Sequence, residues 1–585
     1  MKKSMRIAAG LIAGLLALTP CVVTSLTAEA TSITIKGAGT GDAEHEYAAY
    51  QIITGELTEK DGKQVLSKME WGTGVDSAAL IAALTANATD LGITMPAETT
   101  VENIADALSA ITGDAAKVEK LAKIFNETGI LKGTPAEIEP DGSNYKATLP
   151  ADGWYFIKDN LTPADGNAVS ANLLQVIGDV TVNPKYSLPS LEKKILEGED
   201  EKDANTASIG DTVTYKLTTK VPVMTGYDKY FFNISDTLSK GLTYVPDSVK
   251  VTVGGTEITA DADNDPQTVE AGMHYYATDA AATDGTGTSI KFVFQNFVNE
   301  FKGAEGQEIV VTYDAVLNND AVIDGAGNPN TASLTYSNNP NSEGEGEPTK
   351  PDEPGSTTPT GKTPDETVKT FTTEIVIDKI DKDTKDKLDG IKFRLTGTGL
   401  QSVLTEKGLY VKDDSVTGEN AYYLLKDGSF TNDAPTGDAD HDKDYESTTQ
   451  KYAFTTASSV SENAVYVDTE GVTADGGQLK FSGLNAGTYT ITEIETLEGY
   501  NLLTSPITVT IGEGTIAADL SKCTFTYEPD DMMDGNIITI ENSQGSTLPS
   551  TGGIGTKLFY MIGGMLVVGS GVLLVTKKRM SKIEK

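Results

Sequence analysis

The sequence predicts a mainly β protein: tandem immunoglobulin-like β-sandwich domains behind an α+β N-terminal domain, with a cleaved signal peptide in front and an apolar helix at the C-terminal end. Three observations predict it. From Tyr186 onward, short runs rich in Val, Ile, Thr, Tyr and Phe (DTVTYKLTTKV, KYFFNISDTL, SIKFVFQNF, EIVVTYDAVL) alternate with Gly, Asp and Asn turns, the pattern of a sandwich. Helical periodicity is confined to residues 76–129. One apolar run lies at each end of the chain.

The N-terminal run is a targeting segment rather than structure. Lys2, Lys3 and Arg6 precede apolar residues from Ile7 to Leu18, and Ala28 and Ala30 form a small-x-small pattern, so residues 1–30 read as a signal peptide cleaved after Ala30. The run is shorter than the about 20 residues a membrane span needs. Cys21 follows Pro20, a poor fit to lipoprotein processing.

Residues 31–184 mix strands and helices. Ser32 to Ile35 begins a strand. Thr99 and Glu102 fit a capping box, and Val118, Leu121, Ala122 and Phe125 follow amphipathic-helix spacing. Trp154 to Ile157 and Leu173 to Val182 return to strand character. Residues 185–339 form the middle sandwich. The Pro/Gly/Glu-rich stretch 340–370 has no apolar period and reads as an extended linker. Residues 371–545 form a second sandwich, with strands TEIVIDKI, IKFRLTG, TYTITEI and NIITIEN and a long polar insertion over 405–475.

The tail, 546–585, carries Leu548, Pro549, Ser550, Thr551 and Gly552, then an apolar stretch 558–576, then a basic end. At about 1.5 Å per residue that stretch spans roughly 28 Å, close to a bilayer core. Lys577, Lys578, Arg579, Lys582 and Lys585 hold the end on the cytoplasmic side. The tripartite arrangement resembles a sortase sorting signal. The resemblance implies cleavage of the Thr551–Gly552 bond and transfer of Thr551 to an amine.

The net charge is −39, and both terminal signals are positive, so the mature chain is more acidic still. It repels nucleic acid and anionic lipid, and neither is expected as a partner. Only Cys523 survives processing, which rules out an intramolecular disulfide in a compartment that permits them. His45, His274 and His441 are scattered without metal-ligand spacing, and no nucleophile motif is present. DADND at 261 and DADHDKD at 438 lack the Gly and Glu of an EF-hand loop and read as solvated acidic loops. No enzyme activity on an external substrate and no cofactor is expected.

The chemistry lies on strand faces. Period-2 alternation puts Lys379 with Ile375 and Ile377, Glu493 with Tyr489 and Ile491, and Asn542 with Ile538 and Ile540. Each polar group thus sits on an apolar face, where a lone charge is expensive. A buried ion pair beside an amide is the plainer alternative. The chemical alternative is an intramolecular isopeptide bond. An apolar pocket makes the Lys379 amine a nucleophile. The same pocket disfavours an ionised Glu493, so the acid can hydrogen-bond the Asn542 amide and polarise its carbonyl. Glu495 shares the face of Glu493 and is the competing acid.

These strands resemble those of sortase-assembled pilins. YTITEIETLEGY resembles the E-box of that family, and IVIDKIDKDTKDKLDGIKFRL resembles the opening of a collagen-adhesin B-type domain. Thr496 and Leu497 replace the usual Ala-Pro. The resemblance implies that Lys379, Glu493 and Asn542 form the bond-making triad. For the middle domain a collagen-adhesin A-type likeness implies Lys193, Asn330 and the acid Asp236, with Lys194 and Asn338 as alternatives. VIGDVTVNPKYSLP resembles the pilin motif, with Asn183 in place of Tyr, and implies Lys185 as the acceptor of Thr551 from another subunit. The expected protein is therefore the major subunit of a covalent surface pilus. Its partners would be further copies of itself, a pilin-class sortase, a housekeeping sortase and peptidoglycan, with accessory pilins and a host surface ligand beyond them. A monomeric wall-anchored adhesin or minor pilin is the alternative.

Overall fold

The computed structural model describes residues 31–580 apart from 38–44, 61–62, 112, 177–178, 185, 262–273, 283–284, 342–345, 348–349, 356–357, 398–401, 406–407, 427–429, 457–469 and 546–553. The signal peptide, the acceptor candidate Lys185 and the sorting motif Leu548–Gly552 lie outside the described residues.

The first unit is α+β. Its sheet runs Ala171–Val176, Gly153–Asp159, Tyr47–Lys60, Ala136–Asp141, Asn144–Thr148, Ser32–Lys36, Val180–Val182, with Lys63–Trp71 paired to Tyr47–Lys60. Four helices, Ser77–Ala86, Ala88–Leu91, Val101–Ser109 and Ala115–Asn126, account for the predicted helical stretch. Three of them begin on side-chain caps, Asp76, Thr100 and Asp114, each accepting from a backbone N–H three residues on. The cap of the third helix is Thr100, one residue after the Thr99 of the predicted capping box. Leu84, Ile104, Leu108, Val118, Leu121 and Phe125 pack with Trp154 and Phe156 of the sheet.

The middle unit is a sandwich. One sheet runs Asp200–Lys202, Glu192–Glu197, Thr212–Lys220, Glu308–Leu317, Leu242–Val253, Thr256–Glu257. The other runs Ala204–Thr206, Glu366–Phe371, Asn328–Ser337, Phe232–Ser239, Gly287–Phe294, Tyr275–Ala281, and Thr360–Lys362 also pairs with Asn328–Ser337. The expectation of a free linker over 340–370, and of a sandwich ending near 339, is therefore corrected. Thr360–Lys362 and Glu366–Phe371 are strands of the middle sandwich. Backbone pairing is indifferent to the polar composition of this stretch; Val368 faces into the core, 0% exposed, and Phe371, on the opposite face, is buried as well, 1% exposed.

The second sandwich pairs a sheet Gln478–Leu484, Thr373–Asp381, Ile537–Asn542, Met533–Asp534 with a sheet Glu470–Val472, Lys392–Gly397, Gly487–Glu495, Ile507–Ile511, Tyr527–Glu528. Its first and last long strands, Thr373–Asp381 and Ile537–Asn542, are parallel neighbours. Between Lys392–Gly397 and Glu470–Val472 the polar insertion folds around its own small sheet, Ser402–Thr405, Gly408–Lys412 and Tyr452–Thr456. One apolar core runs through both sandwiches. At their junction the Ile209 N–H donates to the Gly483 carbonyl, and Asn485 Nδ2 donates to the Thr206 carbonyl. The helix Ile554–Met580 contains an apolar span, Phe559–Lys578.

Candidate functional site

Two buried amine–acid–amide clusters lie in the sandwiches. In the second sandwich, strand alternation carries Lys379 inward. Its side chain is fully buried, and Nζ donates to the Ile540 carbonyl at 3.2 Å on the adjacent parallel strand. The register sets Lys379 against Ile540 and Asp381 against Asn542, so Asn542 lies two residues further along the strand beside Lys379. Glu493 comes from the opposite sheet. Asn542 Nδ2 donates to Glu493 Oε1 at 2.5 Å and to Thr496 Oγ1 at 2.8 Å. Asn542 Oδ1 and Glu493 Oε2 are buried without a hydrogen-bond partner. A protonated acid would supply a donor that the amide carbonyl lacks. Burial pulls the Lys379 ammonium down to about 8, against the opposing influence of Glu493, Glu541 and Asp381, which enlarges the nucleophilic free-amine fraction near neutral pH.

Glu495, the competing acid, is exposed. The strand pair carries a register irregularity in which Phe393 opposes Glu493 while Lys392 opposes Glu495. This bulge breaks the two-residue alternation and turns Glu495 away from the core.

In the middle sandwich Lys193 is 1% exposed, Asp236 and Asn330 0%. Lys193 projects from Glu192–Glu197 across the core to Asp236, and Asn330 lies diagonal to Asp236 on the paired antiparallel strand of the other sheet. Lys193 Nζ donates to Asp236 Oδ2 and, at 3.2 Å, to the Tyr313 hydroxyl. The Tyr313 hydroxyl donates to Asp236 Oδ2 at 2.6 Å and accepts from Asn330 Nδ2 at 2.7 Å. The Tyr215 and Tyr313 rings lie 5.1 and 5.5 Å from the amine. Burial lowers the Lys193 pKa, with Asp236 opposing, and burial raises that of Tyr313 well above the usual phenol value. The alternatives lie elsewhere: Lys194 pairs with Asp203 at 2.7 Å, and Asn338 Nδ2 donates to the Ala164 carbonyl at 2.9 Å in the first unit. The sequence does not single out Tyr313: on EIVVTYDAVL it is one more inward residue beside Val311 and Ala315, and its polar neighbours come from distant strands, Lys193 in its own sheet and Asp236 and Asn330 in the facing one.

The exit of the second sandwich is tied down. Asp381 Oδ2 accepts from the Tyr500 hydroxyl at 2.8 Å and from Gln544 Nε2 at 3.1 Å, and the Gly545 N–H donates to the Gly499 carbonyl at 2.8 Å. The Thr384 N–H and the Tyr500 hydroxyl hold the Asp381 carboxyl well below its usual range. The native carboxyl keeps its charge to lower pH than the unfolded chain does. This contribution is therefore present at neutral pH and is lost as pH falls below the ordinary carboxylate range. Asp381→Asn is expected to speed hydrogen exchange at the Gly545 amide at neutral pH, because charge-assisted hydrogen bonds become neutral ones.

Among the described residues no group of three or more His, Cys, Asp or Glu is placed to hold a metal. Of the two acidic stretches, most of that at 261 lies outside the described residues. In that at 438, Asp442 accepts from the Thr436 and Gly437 N–H groups and pairs with His441.

Three family profiles match the chain: "Gram-positive pilin backbone subunit 2, Cna-B-like domain" over 209–340, "SpaA: Prealbumin-like fold domain" over 373–523, and "LPXTG cell wall anchor motif" over 540–582. The trypsin-resistant surface T6 protein of Streptococcus pyogenes serotype M6 is 27% identical over 438 residues, covering 71% of this chain and 74% of that protein. The solved T6 backbone pilin of the same serotype is 15% identical, covers 89% of this chain and 100% of that one, and superposes with a TM-score of 0.49. The major pilin SpaD of Corynebacterium diphtheriae is 15% identical, with coverage of 89% and 98% and a TM-score of 0.41. The two pilin-domain profiles fall on the two sandwiches, and the anchor profile falls on the apolar helix with the motif before it. Pilin backbone and prealbumin-like pilin domains followed by an LPXTG anchor make this chain a structural pilin subunit of a sortase-assembled surface pilus, anchored to the cell wall.

Proposed function

We propose that this chain is a self-stapled shaft module. A pilin-class sortase cleaves after Thr551 and joins that carboxyl to Lys185 of another copy, and a housekeeping sortase passes the finished fibre to peptidoglycan. Accessory pilins and a host surface ligand are further partners. Repetition of the link gives a head-to-tail, open interface, which builds fibres rather than closed rings. In this reading the module comprises the α+β domain to residue 184, a middle sandwich that includes the strands up to Phe371, and a terminal sandwich to residue 545.

Each sandwich is closed by its own bond. Lys379 Nζ attacks Asn542 Cγ with Glu493 as the acid, Lys193 Nζ attacks Asn330 Cγ with Asp236 as the acid, and each reaction releases one ammonia. The first bond joins neighbouring strands within one sheet, whereas the second crosses between sheets. The observation that carries the reading is Lys379: a fully buried lysine beside the strand of Asn542, whose amide is already hydrogen-bonded to Glu493. The intact mass of the recombinant mature chain tests it. Two ammonias fewer than the plain sequence is the expected result, and a mass equal to the plain sequence rejects both bonds.

A further inference from the structure

The two clusters differ in how the acid reaches the nitrogen that must leave. In the terminal sandwich Glu493 Oε1 contacts Asn542 Nδ2 directly. In the middle sandwich the described hydrogen bonds connect Asp236 to Asn330 Nδ2 through one group, the Tyr313 hydroxyl, which donates to the acid and accepts from the amide. Tyr313 has a single proton and directs it at Asp236, so the amide atom facing it is the N–H side. Asp236 Oδ1 and Asn330 Oδ1 have no hydrogen-bond partner, so among the described hydrogen bonds the acid reaches the amide nitrogen along this one line.

We infer that Tyr313 is a catalytic residue of the middle sandwich, the relay that protonates the departing nitrogen of Asn330. The inference rests on the Lys193–Asn330 bond proposed above. One proton moves from Lys193 Nζ to Asp236 Oδ2 across their contact, leaving a neutral amine and a neutral acid. The Nζ lone pair forms a bond to Asn330 Cγ, and the carbonyl pair moves to Oδ1. When the carbonyl re-forms, the Cγ–Nδ2 bond breaks and its pair goes to Nδ2. Nδ2 takes the Tyr313 proton, Tyr313 takes the proton on Asp236, and Asp236 takes the surplus proton from Nζ. Ammonia leaves, Tyr313 has its proton back, and Asp236 ends as the neutral acid, holding one of the two protons that Lys193 gave up while the other has gone to ammonia. Burial keeps solvent from competing with this hydroxyl as the donor while it is in place: Tyr313 is 0% exposed.

The test follows the Lys193–Asn330 cross-linked peptide against time after synthesis, from pH 6 to pH 9, in the mature chain and in Tyr313→Phe. Phenylalanine keeps the ring packing against Tyr215, Tyr244 and Phe292 and deletes only the hydroxyl. General acid catalysis is worth about 100-fold or more, so a slowing of about that size is expected. It should deepen as pH rises, because the variant must draw its proton from solvent, whereas in the parent the proton circulates internally. A parallel pair, Lys193→Met with and without Tyr313→Phe, cannot form the bond and reports folding alone. The variant of that pair should melt lower, because the hydroxyl's hydrogen bonds to buried Asp236 and Asn330 are lost, and that difference measures the structural share of the effect. Cross-linking of Tyr313→Phe at the parent rate overturns the relay. So does a slowing that is the same at every pH, since a packing defect does not depend on the supply of protons. Absence of the cross-link from the unmutated chain is a separate result, and it removes the middle-sandwich bond itself.

Discussion

A Glu493→Gln chain is expected to be one ammonia heavier than its parent and to lose most of the resistance of its terminal sandwich to heat and trypsin. Glutamine fills the same volume and can still hydrogen-bond the Asn542 amide, so packing is preserved. What disappears is a group able to take a proton from the Lys379 amine and deliver one to the leaving nitrogen. The bond it would have helped make closes a loop from Lys379 to Asn542, nearly the whole sandwich. By the chain-entropy argument used for disulfides, a loop of 100 residues or more is worth roughly 4–5 kcal/mol. For a domain of this size about 1 kcal/mol moves the melting point by roughly 2–4 °C, so the transition of the terminal sandwich should fall by roughly 10–20 °C. The unreacted lysine adds to the loss, because it remains buried without an ionised partner. Intact mass, calorimetry and trypsin digestion read the three consequences separately. A Glu493→Gln chain as light as the parent would remove Glu493 from the reaction.

Much of this cluster is legible in the sequence because it obeys the simplest rule of a strand. Lys379, Glu493 and Asn542 each follow two apolar residues at a spacing of two, and alternation alone puts them inside. The same rule fails for Glu495, two residues beyond Glu493. A bulge at that point is a property of the pairing with Lys392 and Phe393, and nothing in the local sequence announces it. The stretch before Phe371 fails for a different reason. Its Pro, Gly and Glu content describes side chains, whereas Glu366–Phe371 is held by backbone pairing to Asn328–Ser337 and Ala204–Thr206. The short alternation that turns Val368 and Thr370 to the inner face is the only signal, and composition outweighs it. Tyr313 is the least legible. Its polar neighbours come from three distant strands, Glu192–Glu197 in its own sheet and Phe232–Ser239 and Asn328–Ser337 in the facing one, and such packing carries no local mark in a strand. In the middle sandwich, sequence leaves Lys193 and Lys194 as rivals, and burial separates them: one side chain crosses the core while its neighbour pairs with Asp203 at the edge.

The two bonds have a shared mechanical consequence under the proposed reading. A pull on Thr551 reaches Asn542, crosses to Lys379 on the adjacent strand, and leaves along Thr373–Asp381. Residues 380–541 then lie outside the loaded path. Hydrogen bonds in that segment carry no tension, so its long insertion between Lys392–Gly397 and Glu470–Val472 does not weaken the shaft. The Tyr500–Asp381–Gln544 ties lie at the point where the loaded chain leaves the sandwich.

Replacing Lys185 by arginine should abolish the high-mass ladder in cell-wall extracts while leaving a monomer that is still anchored. The argument is chemical. A sortase holding the Thr551 carbonyl as an acyl group needs a neutral amine to resolve it, and a lysine supplies one by losing a proton. Arginine keeps the charge and nearly the length but stays protonated throughout the accessible pH range, so it can satisfy any electrostatic role of Lys185 and none of its nucleophilic role. Lys185→Ala should give the same loss, and agreement between the two variants assigns the effect to the missing amine rather than to the missing charge. Anchoring survives because Leu548–Gly552 is untouched and the acyl group can still pass to a peptidoglycan amine. Thr551→Ala in the same background should remove both outcomes and leave chain retained through the apolar span Phe559–Lys578. A ladder that persists in Lys185→Arg would move the acceptor role to another lysine. A chain that is anchored but never polymerised, even unmutated and with its sortase present, would favour the wall-anchored adhesin over the shaft.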